Sequence, residues 1–130
     1  MSLPRVAMAA ASVLICVALG CGDSTNNSLT DIGNAQHGKR LLSSYGCGAC
    51  HIIPGIRTAR GLVGPPLSFY AERTMIAGQL PNTPPNLVHW IEHPESVDPK
   101  TAMPDLGVSQ EEASDMTAYL YTLRGHGRPQ

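Results

Sequence analysis

Two cysteines and a histidine lie together in the five-residue segment Cys47-Gly48-Ala49-Cys50-His51. Two residues separate the thiols, so a single helical turn can bring both sulfurs to one edge of a porphyrin, where each can add across a vinyl group. Because the histidine directly follows the second cysteine, its imidazole can lie under the ring and meet the iron. Cys-x-x-Cys-His is the attachment signature of c-type haem, and it predicts one covalently bound haem c.

Two other chemistries use cysteines at this spacing. A thioredoxin-like pair lies at the start of a helix within a βαβ pattern, and no such pattern surrounds Cys47 and Cys50. A zinc site requires a second pair of ligands at suitable spacing. The remaining cysteines, Cys16 and Cys21, lie in or at the end of an apolar N-terminal segment. Haem attachment is therefore the favoured interpretation.

The N-terminal segment has the features of an export signal. An apolar run over residues 6–20 follows Arg5; it is short for a membrane span and typical of a secretory signal. Ala18-Leu19-Gly20-Cys21 resembles a bacterial lipoprotein box, although alanine stands where leucine is usual. We expect residues 1–21 to be a signal peptide of lipoprotein type, with Cys21 as a membrane tether. An ordinary signal peptide and an uncleaved anchor are the alternatives.

The residues after this leader divide into a linker and one domain. Residues 22–30 are small and polar, which predicts a flexible linker. Residues 31–130 then form a single domain that is small for a self-sufficient core. The chain contains one Phe, one Trp and four Tyr, so a buried porphyrin would supply apolar surface that the side chains lack.

Three segments have helical periodicity and must position the motif. The first spans residues 34–45, and Gly38 within it indicates close approach by another element. The second begins at Thr83 as N-cap with Pro84 in the first helical position, and Pro94 is expected to stop it.

The third helix begins at Ser109, where Glu112 three residues later predicts a capping box. Gly125 is its expected C-cap. No segment alternates with period two, so strands are not expected. The sequence predicts an all-α domain of three main helices, with proline- and glycine-rich loops enclosing the haem.

Three motifs in this order resemble those of class I c-type cytochromes, and the resemblance covers nearly all of residues 33–124. The Gly38 helix leads into the Cys-x-x-Cys-His segment, Gly64-Pro65-Pro66-Leu67 follows, and Thr101-Ala102-Met103-Pro104 precedes the last helix. The segments around residues 86–91 and 102–108 particularly resemble small cytochrome domains that serve haem–copper terminal oxidases. The resemblance implies the small cytochrome c fold.

The resemblance also implies roles for single residues. Cys47 and Cys50 are the thioether anchors, and His51 is the proximal iron ligand. The carbonyl of Pro65 would accept a hydrogen bond from the other ring nitrogen of His51, which fixes the tautomer. Met103 would be the distal ligand.

Arg73 and Trp90 match positions from which the family contacts haem propionates, and Gly38 and Tyr119 match the place where the first and last helices cross. A surface charge at Arg73 and a plain core residue at Trp90 are the alternatives.

Other side chains compete for the distal position. Met75 and Met116 are rival thioethers, although Met116 lies on an apolar helical stripe. A second histidine as ligand is a further alternative, and four are candidates: His37, His89, His93 and His126.

Ligation by one histidine and one methionine leaves no open position on the iron, and the thioether favours ferrous iron. The chain is therefore expected to be a single-electron carrier and not an enzyme. Its expected partner is a membrane redox complex, a terminal oxidase or a dehydrogenase, with no nucleic-acid partner and no small-molecule substrate. A fixed subunit of such a complex and a haem sensor or enzyme with a labile distal ligand are the alternatives.

Haem assembly of this type takes place outside the cytoplasm, so the expected location is the periplasmic side of the bacterial cytoplasmic membrane, with a lipid anchor.

Charge is uneven along the chain. Residues 22–80 carry five basic and three acidic side chains, whereas residues 81–130 carry three basic and seven acidic. Arg57 and Arg60 closely follow the attachment segment, and we expect them to border the exposed haem edge; ordinary solvated side chains are the alternative.

Overall fold

The computed structural model describes residues 31–125. The predicted leader, the linker, the Cys21 tether and His126 lie outside this range. The elements within it comprise four α-helices (α1–α4), two short 3₁₀-helices and two strands (β1, β2): α1 Ala35–Ser44, 3₁₀ Cys47–Ala49, 3₁₀ Tyr70–Glu72, β1 Met75–Ile76, β2 Leu80–Pro81, α2 Pro84–Glu92, α3 Pro94–Val97 and α4 Gln110–Leu120. The prediction of a mostly helical domain with extended loops is confirmed.

Helices α1 and α4 cross backbone to backbone at Gly38. A Cβ atom at this position would collide with the backbone of Asp115 and the amide nitrogen of Met116. Only glycine permits this separation, so the predicted close approach is confirmed. Tyr119 lies one turn further along α4, where its hydroxyl donates to the carbonyl of Pro54 at 2.7 Å.

A polar cluster reinforces the same crossing. The carboxylate of Asp115 accepts hydrogen bonds from the backbone N–H of Asn34 at 2.6 Å and from Nδ1 of His37 at 2.7 Å. Asn34 also caps α1, because its side-chain oxygen accepts from the backbone N–H of His37 at 2.9 Å. Asp115 is only 8% exposed, so its charge is stabilised by these donors rather than by water.

Helix α2 packs against α4 through Leu87 and Ile91, both of which are buried. Thr83 occupies the N-cap position as predicted, but its side chain makes no capping hydrogen bond. The prediction that Pro94 stops the helix is confirmed, since α2 ends at Glu92 with His93 as its C-cap. Pro94 then begins a separate short helix, α3, which the sequence did not predict. Proline is compatible with the first position of a new helix.

The predicted capping box of α4 is confirmed. The hydroxyl of Ser109 accepts from the backbone N–H of Glu112, and the Glu112 carboxylate accepts from the backbone N–H of Ser109 at 3.1 Å. The predicted C-cap at Gly125 is wrong, because α4 ends at Leu120. The hydroxyl of Thr122 donates to the carbonyl of Tyr119 at 2.6 Å, and such local bonds compete with helix continuation.

The expectation that the chain has no strands is wrong, because β1 and β2 form an antiparallel hairpin. Each strand has only two residues, so no alternation of apolar and polar residues could reveal it in the sequence. The turn places Ala77 at φ 51° and Gly78 at φ 72°. The left-handed region is costly for alanine, so the surrounding contacts must hold this turn in place.

Within residues 31–125, no helix is long and apolar enough to cross a membrane.

Replacing Gly38 with alanine is expected to destabilise the protein by about 1–3 kcal/mol, because the new methyl group has no room against Asp115. Helix propensity alone predicts a more stable protein, since alanine is favoured over glycine within a helix by about 1 kcal/mol. Denaturant unfolding of the haem-loaded protein measures the change. Arg40→Ala, at an exposed position of the same helix, is the control and should stay within about 0.5 kcal/mol. A Gly38→Ala variant as stable as wild type would contradict the close crossing.

Candidate functional site

A cavity of about 590 Å³ lies between the 3₁₀-helix at Cys47–Ala49 and the loops that follow it. This volume falls within the range of small-molecule and cofactor sites. The cavity brings together every site residue predicted from the sequence: Cys47, Cys50, His51, Pro65, Arg73, Trp90 and Met103. Residues more than fifty positions apart in the chain therefore share one site.

The two cysteines lie on one tight turn. The turn begins after Gly46, which adopts a left-handed conformation with φ 74°. The backbone N–H groups of Cys50 and His51 both donate to the carbonyl of Cys47, at 3.2 and 3.0 Å. Both thiols are free and partly buried, and burial raises the pKa of the Cys47 thiol. The turn thus presents two reduced sulfurs and the imidazole to one cavity.

The following loop packs directly on this turn. The backbone N–H of Gly61 donates to the carbonyl of Gly48 at 3.0 Å, and that of Gly64 donates to the carbonyl of Cys50 at 2.8 Å. A Cβ atom at Gly48 would meet Ala59 at 2.6 Å. The close contact holds the segment with Arg57 and Arg60 beside the cysteines, and both arginines are exposed.

The imidazole of His51 is oriented by two contacts. Its Nδ1 donates to the carbonyl of Pro65 at 2.8 Å, so Nε2 carries the free lone pair that a metal ligand needs. Gly64 lies against the ring, because a Cβ atom there would collide with its carbon and nitrogen atoms. The geometry matches that expected of a proximal ligand, and the ligand role itself remains a prediction.

Met103 and its rivals differ in their surroundings. Met103 is partly buried and lines both the cavity and a smaller pocket that adjoins it. Met116 is fully buried within α4. Met75, the other rival thioether named from the sequence, lines the cavity as well and is 43% exposed.

The described histidines other than His51 do not line the cavity. His37 bonds to Asp115 across the α1–α4 crossing. The ring of His89 lies 5.7 Å from that of His93, and its Nε2 is 3.1 Å from the hydroxyl of Ser96. These contacts support Met103 over a second histidine as the distal ligand.

Arg73 and Trp90, which the sequence predicts to contact haem propionates, both line the cavity. The guanidinium of Arg73 donates to the carbonyl of Pro66 and lies 5.0 Å from the centre of the Tyr70 ring. Trp90 is partly buried and lines the cavity and the adjoining pocket. Tyr70, which sequence reasoning did not select, lines both as well.

The donor set of the cavity fits haem c. Imidazole nitrogen and thioether sulfur are the axial ligands of cytochrome iron, and the lining contains the imidazole of His51 and the thioethers of Met75 and Met103. Cys47 and Cys50 provide thiols for covalent attachment, and Leu67 contributes to the apolar wall.

The sequence has recognisable relatives. The family model described as cytochrome c matches residues 35–124. The chain is 34% identical over 91 residues to cytochrome c oxidase subunit 2 of Alkalihalophilus pseudofirmus. It is 29% identical over 94 residues to cytochrome c oxidase subunit 2 of Bacillus sp. strain PS3. Each match covers 69% of this chain but 26% of the relative, so the chain spans about a quarter of the length of these curated relatives.

Replacing Gly64 with alanine is expected to displace the His51 ring and lengthen its bond to Pro65. The methyl group would overlap the imidazole, a conflict of about 1–3 kcal/mol, and the fraction of purified protein with a low-spin haem spectrum should fall. Leu62→Ala is the control, because Leu62 is 82% exposed and lies two residues away. A Gly64→Ala spectrum identical to that of Leu62→Ala would show that this contact does not orient the ring.

Proposed function

The chain belongs to the cytochrome c family, and we propose that it carries single electrons through a haem c whose iron is ligated by His51 and Met103. A cytochrome c domain implies electron transfer and a covalently attached haem c, and such domains are typically carriers rather than enzymes. The observation that carries the ligand proposal is the convergence of the anchors, the imidazole and the Met103 thioether on one cavity.

The residues of the site have distinct tasks in this proposal. His51, oriented by its bond to Pro65, would hold the iron through Nε2, and Met103 would supply the second protein ligand. Bound haem c supplies an iron that changes its charge by one electron. With two side chains as its ligands, the iron would have no open position for a substrate, and the soft thioether would raise the reduction potential.

We propose a terminal oxidase as the partner. The relatives named cytochrome c oxidase subunit 2 support this link. In the loop that packs on the attachment turn, the exposed residues Arg57 and Arg60 are followed by Leu62 and Val63, which are 82% and 76% exposed. A loop that exposes both apolar and basic side chains fits a partner surface with apolar and acidic groups.

The names of these relatives also favour a second candidate, in which the domain is a fixed part of an oxidase complex and not a free carrier. Gentle solubilisation of membranes distinguishes the two. A fixed subunit co-purifies with the oxidase at constant stoichiometry at high salt, whereas a carrier docked through charges dissociates.

We further propose that the domain works on the outer face of the bacterial cytoplasmic membrane, tethered through Cys21. The apolar leader, the lipoprotein-like segment before Cys21 and the polar residues 22–30 support this location. Fractionation of cells tests it, and a haem-loaded protein found in the cytoplasm would contradict it.

Replacing Met103 with alanine is expected to open the sixth coordination position. The spectrum should become high-spin, the reduction potential should fall by on the order of 0.1 V within the roughly 0.8 V range set by axial ligands, and ferric haem should bind added imidazole. Met75→Ala is the matched control, because it removes the other cavity thioether. If Met103→Ala keeps a low-spin spectrum and a histidine variant loses it, the haem is bis-histidine ligated.

Reversing the charges in Arg57→Glu/Arg60→Glu is expected to slow electron transfer to an oxidase about tenfold at low ionic strength, because electrostatic steering is lost. The wild-type rate should fall with added salt until the two proteins converge. Arg124→Glu is the control, since Arg124 is exposed in the turn after α4 and does not line the cavity. Equal rates for all three proteins at every salt concentration would exclude Arg57 and Arg60 from docking.

A further inference from the structure

Two exposed histidines, His89 in α2 and His93 at its C-cap, lie outside the haem site. They line neither the cavity nor the pocket that adjoins it, and both are exposed. They are four positions apart in the chain, which places them on one face of a helix. The backbone N–H of His93 donates to the carbonyl of His89 at 2.9 Å, so the helical spacing is kept up to the C-cap. Two imidazoles therefore lie side by side at the surface.

The two imidazole rings are close enough to share one metal ion. Their centres are 5.7 Å apart, and the angle between their planes is 68°. A transition metal lies about 2.0–2.1 Å from a ligating imidazole nitrogen, and hence on the order of 3 Å from the centre of that ring. Because both side chains are exposed, small rotations can bring a nitrogen of His89 and a nitrogen of His93 to one ion between them.

The hydroxyl of Ser96 orients the ring of His89. It donates to the carbonyl of His93 at 2.7 Å and lies 3.1 Å from Nε2 of His89. Because its single proton is given to that carbonyl, the hydroxyl oxygen accepts from Nε2–H, and the lone pair of the neutral imidazole is on Nδ1. A ligating histidine commonly donates its other ring N–H to an oxygen in this way. Pro94, buried at the start of α3, fixes the corner that brings Ser96 back to His89.

The charge of this part of the chain favours a cation. Residues 89–98 carry three carboxylates, on Glu92, Glu95 and Asp98, and no lysine or arginine. Lys100, the nearest basic residue along the chain, lines the haem cavity. A surface with one sign of charge raises the local concentration of ions of the opposite sign. The acidic segment therefore attracts divalent cations towards the two imidazoles.

We propose that His89 and His93 bind a divalent cation of the late first-row transition metals, Cu²⁺ more tightly than Ni²⁺ or Zn²⁺. Imidazole nitrogen suits these ions, and affinity is greatest for copper. Within residues 31–125, no third histidine, cysteine or carboxylate side chain completes a group around the two, so water fills the remaining coordination positions. Structural metal sites are closed by four protein ligands, and a site with two binds its ion reversibly. This assignment does not depend on how the haem iron is ligated.

The test is calorimetric titration of Cu²⁺ into the haem-loaded protein and into its variants His89→Gln and His93→Gln. The haem is kept ferric, because ferrous iron could reduce Cu²⁺. Each variant should bind Cu²⁺ about 10–100-fold more weakly than wild type, since the loss of even an outer partner of a metal ligand costs this much. The electron paramagnetic resonance signal of Cu²⁺ should show coupling to two imidazole nitrogens in wild type and to one in either variant.

His37→Gln is the matched control, because its side chain is also accessible, at 45% exposure, but is bonded to Asp115 in another part of the fold. The proposal predicts wild-type affinity for Cu²⁺ in this variant. A haem spectrum like that of wild type shows that each variant is folded and that the haem site has not changed. The proposal is overturned if either His89→Gln or His93→Gln keeps the wild-type affinity, or if His37→Gln loses as much affinity as they do.

Discussion

The structure depends on the backbone crossing of α1 and α4 at Gly38. Because α1 leads within a few residues into the Cys47 turn, the crossing sets where the anchors and His51 enter the cavity. The bonds from Asn34 and His37 to Asp115 secure the same contact with buried polar groups. Helix α2 also packs against α4, and residues of all three helices contribute to one core.

Backbone hydrogen bonds build the site from loops that have little regular structure. Three bonds tie the chain after the anchors to the attachment turn: Gly61 to Gly48, Gly64 to Cys50 and His51 to Pro65. Elsewhere in the lining, the single side chain of Asn82 holds the carbonyls of Tyr70 and Arg73. Two small sets of bonds thus fix His51 and the Tyr70 turn, and the largely apolar cavity that both line suits a porphyrin.

The fold could be predicted wherever a strong local signal exists. The capping box at Ser109 and the glycine in α1 are such signals, because each reflects a steric or hydrogen-bonding rule within a few residues. The end of α4 and the start of α3 at Pro94 could not be predicted. They depend on Thr122, whose side chain competes with the helix, and on a proline that is compatible with both the end and the beginning of a helix.

The sequence by itself determined the haem chemistry, because two thiols and an imidazole at fixed short spacing form one unit in any fold that keeps the turn. It also predicted Pro65, Arg73, Trp90 and Met103 as partners, through motifs in a characteristic order. Only the tertiary structure decided that these residues line one cavity and that Met75 and Tyr70 line it too. Spacing along the chain carries no information about such contacts, because they arise where loops distant in sequence are folded against the same space.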